Sequence, residues 1–258
     1  MSASHDNGSE VLGTVELLWG LRVAPARGPK PALSVDRIAS TAMTIADIEG
    51  LSAVSMQRVA GELDFTKMSL YRYVAGKAEL VAAMIELAVD DPPDLDAVPG
   101  GWRAKIEEWA RLLGNTWRLH PWLPWVTMGD RVMGPREVGW IESAVGVLAP
   151  TGLDRQEQMD AVLLLCGHIR NTQSTATAGT QPWDTEQQLE LLRDHGDRFP
   201  ALTAVASDRS GSSPDNGREF GLRCILDGLE LRIADLVGPK KRARATRRTS
   251  SPRRRAPG

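Results

Sequence analysis

Apolar positions in this chain recur at helical spacing wherever they recur regularly. Trp102, Ile106, Trp109, Leu113 and Trp117 fall at i, i+4, i+7, i+11 and i+15, which places them on one face of a single helix. Val138, Ile141, Val145 and Leu148 mark another helix, with Pro135 near its start. A long helix is predicted from Asp154, carrying Met159, Val162, Leu163, Cys166 and Ile169, and TEQQLELLRDHG predicts a short one. The last predicted helix, GREFGLRCILDGLELRIADLVG, presents Leu222, Ile225, Leu226, Leu229, Ile233 and Leu236 as its apolar face. No segment of useful length alternates with period two, so the fold class expected is all-α. Breaks fall at DPPDLDAVPGG, HPWLPW, TATAGTQPWDTEQ and SDRSGSSPDNG, each rich in turn-forming residues.

The most informative stretch is Ser55–Val74, SMQRVAGELDFTKMSLYRYV, with AGKAELVAAMI following at once. Ser55 is placed to cap a short helix whose inward stripe is Val59, Ala60 and Leu63. Asp64 and Phe65 form the turn; Asp tolerates a left-handed backbone better than most residues, and Phe65 can plug the core beneath. Thr66 then caps a second short helix in which Leu70 and Val74 face inward while Lys67, Ser69, Tyr71 and Tyr73 project elsewhere. An ordinary wet helix is rich in Glu and Lys. Hydroxyls and Tyr in their place suit phosphates and base edges, and a tight turn between two such helices delivers the second into a major groove.

From Leu33 to about Asp90 the sequence resembles the N-terminal domain of the TetR/AcrR transcriptional regulators. The resemblance spans SVDRIASTAMTIADIEGLSAVSMQRVA, with its helix stop at Gly50, and SLYRYVAGKAELV, which is close to the family pattern across the recognition helix and the next helix start. Asp64 stands where the family prefers Gly, and Tyr73 where it often has His. The resemblance implies DNA contacts from Gln57, Lys67, Met68, Ser69, Tyr71 and Tyr73, with Lys77 bonding a phosphate beside the amides of its helix. By chemistry, Lys67 suits guanine and Gln57 adenine, while Ser69, Tyr71, Tyr73 and Lys77 suit phosphate. Thr66 joins this set. Arg58 either reaches the DNA backbone or pairs with Glu62 at i,i+4.

The expected organisation is a flexible N-terminal extension over 1–32, the helix-turn-helix domain over 33–90, a larger helical effector-binding and dimerisation domain over 91–238, and a disordered basic tail over 239–258. In the extension, Arg22, Arg27 and Lys30 could track DNA as an N-terminal arm does, or be incidental charge. The tail holds nine Lys or Arg and no acid among its twenty residues, which suits salt-sensitive, nonspecific DNA affinity or a simple charged terminus.

Net charge is −2 over 258 residues, so bulk electrostatics does not hold this chain on DNA. Cys166 and Cys224 lack metal-like spacing and suit a reducing cytoplasm, with no leader segment or membrane span evident. Six of the eight tryptophans lie between Trp102 and Trp140. They read either as core or, where Pro breaks the helices, as a chamber for a flat apolar ligand lined by Trp117, His120, Trp122, Trp125, Met128 and Met133, with His168 and Asn171 as polar contacts. The resemblance implies inducer binding by this half and pairing of the helices from Asp154 and Gly217 with their copies. The chain offers no phosphate loop, nucleophile elbow or metal pair, and an enzyme is not expected, nor any cofactor. The expected function is a ligand-responsive repressor of a palindromic operator on double-stranded DNA, working as a homodimer in the cytoplasm. The alternatives are a nonspecific DNA compactor acting through the tail, or a helical enzyme.

Overall fold

The computed structural model describes residues 3–22, 32–175, 186–207 and 216–249, with side chains described for 11–22, 32–173, 190–205 and 217–236. The elements in order are α1 (Ala3–Leu18), α2 (Val35–Glu49), α3 (Met56–Glu62), α4 (Lys67–Leu70), α5 (Lys77–Val89), α6 (Trp102–Leu119), α7 (Leu123–Val126), α8 (Pro135–Leu148), α9 (Arg155–Thr175), α10 (Glu186–Asp194), α11 (Pro200–Ser207) and α12 (Asn216–Thr249). Among the described residues there is no strand, and no helix is long and apolar enough to cross a membrane.

α2 lies along α5, burying Ile38, Ala42 and Ile45 from one helix and Leu80, Met84 and Ile85 from the other. Ser34 caps α2 by accepting from the Arg37 amide, and Gly50 ends it at φ +86, where a side chain would be strained. α3 and α4 close over this pair. α6, α8 and α9 pack on one another beyond it, and α12 lies against α9. One continuous apolar core runs from Leu33 to Leu226, so the two halves share their interior.

Tryptophan N–H groups tie that core together. Trp109 donates to the Trp140 carbonyl at 2.9 Å, and Trp140 donates to the Val89 carbonyl at 3.0 Å, which links α6, α8 and the end of α5. A buried indole needs such a partner.

Four sequence expectations change. Residues 1–32 were expected as a flexible extension, but α1 occupies 3–18 and packs against α5; the expected positions Arg27 and Lys30 lie outside the described residues. On α8 the buried face is Trp140, Ala144 and Leu148, and Val138 is exposed. On α9, Met159 and Leu163 point outward while Ala161, Val162, Leu165 and Ile169 are buried, because α6 and α12 cover only part of the helix. The backbone of α12 continues to Thr249, past the Gly238 boundary, and 250–258 lie outside the described residues.

Candidate nucleic-acid interface and effector half

The helix-turn-helix is assembled by local chemistry. The Ser55 hydroxyl accepts from the Arg58 amide at 3.1 Å and starts α3. The helix ends in a paired cap: the Phe65 amide donates to the Ala60 carbonyl at 3.0 Å and the Asp64 amide to that of Gly61 at 3.3 Å. Asp64 sits at φ +59, the left-handed conformation this cap requires. The Thr66 hydroxyl accepts from the Ser69 amide at 3.2 Å and lies 2.9 Å from the Ser69 hydroxyl, which sets the start of α4. Leu70 and Val74 are fully buried and anchor the short helix from below. α4 spans barely one turn, too short to persist without that clamp.

The opposite face is open. Gln57, Thr66, Lys67, Met68, Tyr71 and Lys77 are exposed, Met68 by 72% of its surface; Ser69 and Tyr73 are half-buried. Lys67 Nζ lies 5.6 Å from the centre of the Tyr71 ring, so the two groups share one patch. Lys77 is the first residue of α5, which opens at Gly76 without a side-chain cap, leaving amide donors beside the ammonium. Arg58 is different. It pairs with both Glu49, at 2.8 Å, and Glu62, and the hydrogen bond it donates to Glu49, followed by that to Glu62, holds its guanidinium above the usual range. The i,i+4 alternative is the arrangement present.

In the effector half the expected chamber residues differ in burial and in the partners they hold. Trp117 is buried, with the Arg170 guanidinium 5.4 Å above its ring. Trp122 is buried and donates to Asp47 Oδ1 at 2.7 Å; His120 Nδ1 lies 2.9 Å from the same oxygen. Trp125 and Met128 point outward at 54% and 50% exposure. Met133 is half-buried and its carbonyl accepts from the Trp19 indole. His168 Nε2 donates to the Arg218 carbonyl at 2.9 Å, tying α9 to α12, and Asn171 is exposed. Burial pushes the Cys166 thiol up to about 11. An open groove of about 630 Å³ lies elsewhere, between the segment from Pro93 to Gly101, the start of α6 and the end of α8. Among the described residues no cluster of His, Cys, Asp and Glu could hold a metal ion.

The family model for the tetracyclin repressor-like C-terminal domain matches residues 93–233. The HTH-type transcriptional repressor DrrR1 of Streptomyces coeruleorubidus is 36% identical over 252 residues, covering 92% of each chain. The chain belongs to the TetR family of transcriptional regulators. An HTH-type transcriptional regulator of Saccharopolyspora erythraea is 25% identical over 199 residues, 74% of this chain and 79% of its own. Among solved structures, the TetR family protein ActR of Streptomyces coelicolor in complex with actinorhodin superposes with a TM-score of 0.66 at 28% identity, covering 78% of this chain and 98% of that one.

In this TetR-family regulator, sequence reasoning missed Asp47 and Glu79, and it gave Arg22 only as an N-terminal arm or incidental charge. Asp47 holds His120 and Trp122 from α2. Glu79 is only 5% exposed, and it receives the Ala75 amide at 2.7 Å and Arg22 at 2.5 Å. Arg22 therefore serves the fold instead of a DNA arm. The one available signal was Glu79 itself, the third residue of a helix, reaching back to amides at the helix start.

Proposed function

We propose that this regulator is a repressor that grips a palindromic operator through two copies of α4 and releases it when a small apolar or aromatic effector binds. The observation that carries the reading is the face formed by Thr66, Lys67, Ser69 and Tyr71, displayed on a helix whose other side is fixed by fully buried Leu70 and Val74. Lys67 and Gln57 read base edges, Met68 adds an apolar contact, and Ser69, Tyr71, Tyr73 and Lys77 hold phosphates. Thr66 sets the helix start and stays close to the backbone of the DNA. Arg58, already held by two carboxylates, supports the frame.

The chain works as a homodimer through the outward faces of α9 and α12, and it acts in the cytoplasm where its operator is. The effector enters where α6 gives way to α7, with Trp125 and Met128 at the rim, Trp117, Trp122 and Met133 behind them, and His120, His168 and Asn171 as the polar groups the ligand meets. DrrR1 is named a repressor and ActR is described bound to actinorhodin; both support this reading.

The test is selection of a DNA fragment with the full chain from a random pool, followed by gel shift. Wild type should bind the selected palindrome in the presence of excess unrelated DNA. Lys67→Ala and Tyr71→Ala should lose that binding while keeping their helical content. Binding that unrelated DNA competes away would instead identify a nonspecific compactor.

A further inference from the structure

The end of α1 belongs to neither half, yet its polar groups bridge both. α1 stops in a capped turn: Gly20 takes φ +64, its amide donates to the Leu17 carbonyl at 3.4 Å, and the Leu21 amide donates to that of Glu16 at 2.9 Å. The Arg22 amide shares the Glu16 carbonyl at 3.2 Å. This turn fixes the backbone at Trp19 relative to that at Arg22.

Each of those side chains reaches a different part of the molecule. The Trp19 indole donates to the Met133 carbonyl at 3.2 Å, in the segment that joins α7 to α8. The Arg22 guanidinium donates to the Tyr73 carbonyl at 2.8 Å, to the Gly13 carbonyl at 2.9 Å and to Glu79 Oε1 at 2.5 Å. It thus holds the exit of the recognition helix and the first turn of α5, where Lys77 sits. Glu79 has its second oxygen on the Ala75 amide, so one carboxylate and one guanidinium fix the whole turn between α4 and α5. Gly13 permits the approach, since a Cβ there would stand 3.1 Å from Glu79 Oε1.

The segment that Trp19 touches is also tied to the far end of α5. The Arg136 and Glu137 amides, opening α8, donate to the Glu86 carboxylate at 2.9 and 3.1 Å. α5 is therefore braced at its end by α8 directly, and at its start by α8's leading segment through α1.

We propose that α1 is an intramolecular strap for DNA reading: Arg22 is a positioning residue for the recognition helix, and Trp19 links it to the effector half. A displacement of the segment before α8 carries Trp19 with it, and the rigid turn passes the movement to Arg22. The Tyr73 carbonyl and the start of α5 then lose their anchor, and the presentation of Lys77 and Tyr71 changes. The strap requires neither a known operator nor a known effector.

Hydrogen–deuterium exchange on the full chain tests it. Trp19→Phe removes one N–H from a side chain that is 46% exposed. It should leave the thermal midpoint unchanged and raise exchange several-fold across 71–80, with 106–117 unaffected. Arg22→Gln should raise it further, and Arg22→Lys should restore part of the protection. On a DNA fragment selected with wild type, Arg22→Gln should weaken binding several-fold while affinity for random DNA stays the same. Wild-type protection at 71–80 in Trp19→Phe would overturn the proposal. So would exchange that rises along the whole chain, equally in Arg22→Gln and Arg22→Lys, with a lowered midpoint. Because the exchange readout uses no DNA, its failure is separate from a failure of the repressor reading.

Discussion

The indole of Trp122 donates to Oδ1 of Asp47 at 2.7 Å, a bond that crosses from the DNA-binding half to the turn between α6 and α7. His120 Nδ1 reaches the same carboxylate, and its ring centre lies 5.9 Å from that of Trp122. Asp47→Ala leaves a buried indole N–H without an acceptor, which costs about 1–3 kcal/mol. Asp47→Asn keeps an acceptor oxygen and should recover most of the loss. Urea denaturation followed by tryptophan fluorescence measures both; an alanine variant as stable as wild type would show that the bond carries no weight.

Asp64 occupies a left-handed conformation at the C-terminal cap of α3. Glycine adopts that backbone without the side-chain penalty, which is roughly 1 kcal/mol for other residues. Asp64→Gly should therefore raise the thermal midpoint, and Asp64→Val should lower it, since branching at Cβ deepens the clash. Both variants keep the α4 surface, so gel-shift affinity at a temperature where each is folded should follow wild type. A valine variant with an unchanged midpoint would contradict the cap.

Exposed basic residues in the helix-turn-helix should divide by whether they already have partners. Arg58 is held by Glu49 and Glu62, whereas Lys67 has only the Tyr71 ring beside it among its described contacts. Lys67→Ala should cost about 1–3 kcal/mol of discrimination for the selected operator. Tyr71→Phe, which removes the hydroxyl proposed to hold a phosphate, should weaken all sequences alike. Arg58→Ala should change operator affinity little. Equal losses from Arg58→Ala and Lys67→Ala would remove the division.

These residues show how far the sequence could be read. Ser55, Asp64, Thr66, Leu70 and Val74 were legible because caps, turns and i,i+4 spacing are local, and the structure places each in the expected role. The bonds from Trp122 to Asp47 and from Arg22 to Glu79 join residues 75 and 57 positions apart. No periodicity encodes such partners. Apolar spacing also fails to say what covers a stripe: it gave Met159 and Leu163 the same standing as Val162 and Ile169, but only the latter pair faces α6 and α12. The tryptophans that suggested a chamber are in part the indole bonds of the core itself.

The two cysteines should react at very different rates. Burial pushes the Cys166 thiol up to about 11, while Cys224 is exposed on α12. The thiolate is the nucleophile, and at pH 8 a thiol with that pKa is ionised to only about one part in a thousand. N-ethylmaleimide at pH 8 should label Cys224 quickly in dissociated protomers, where the outward face of α12 is uncovered, and leave Cys166 unmodified in the folded chain. Raising the pH toward the shifted value should increase Cys166 labelling, because the proton is lost only there. Mass spectrometry of tryptic peptides distinguishes the sites, and equal labelling at pH 8 would mean that α9 opens at that cysteine.

The outward faces of α9 and α12 make the last case. Leu163 and Leu164 on α9 are 53% and 55% exposed, and Phe220 and Leu231 on α12 are 68% and 70% exposed. The two helices pack together, so their exposed apolar residues belong to one side of the effector half. Large apolar side chains gathered on packed helices mark an interaction surface, and a twofold pairing would bring each helix against its copy. Leu163→Glu with Leu231→Glu places charge where that pairing would bury it, yet neither leucine contributes to the closed core around Leu165 and Leu226. The double variant should sediment as a monomer with its helical circular dichroism retained. Its affinity for a full palindrome should fall toward that for a half-site, because the two recognition helices would no longer share one binding event. A double variant that remained dimeric and bound the palindrome as wild type does would place the dimer contact elsewhere.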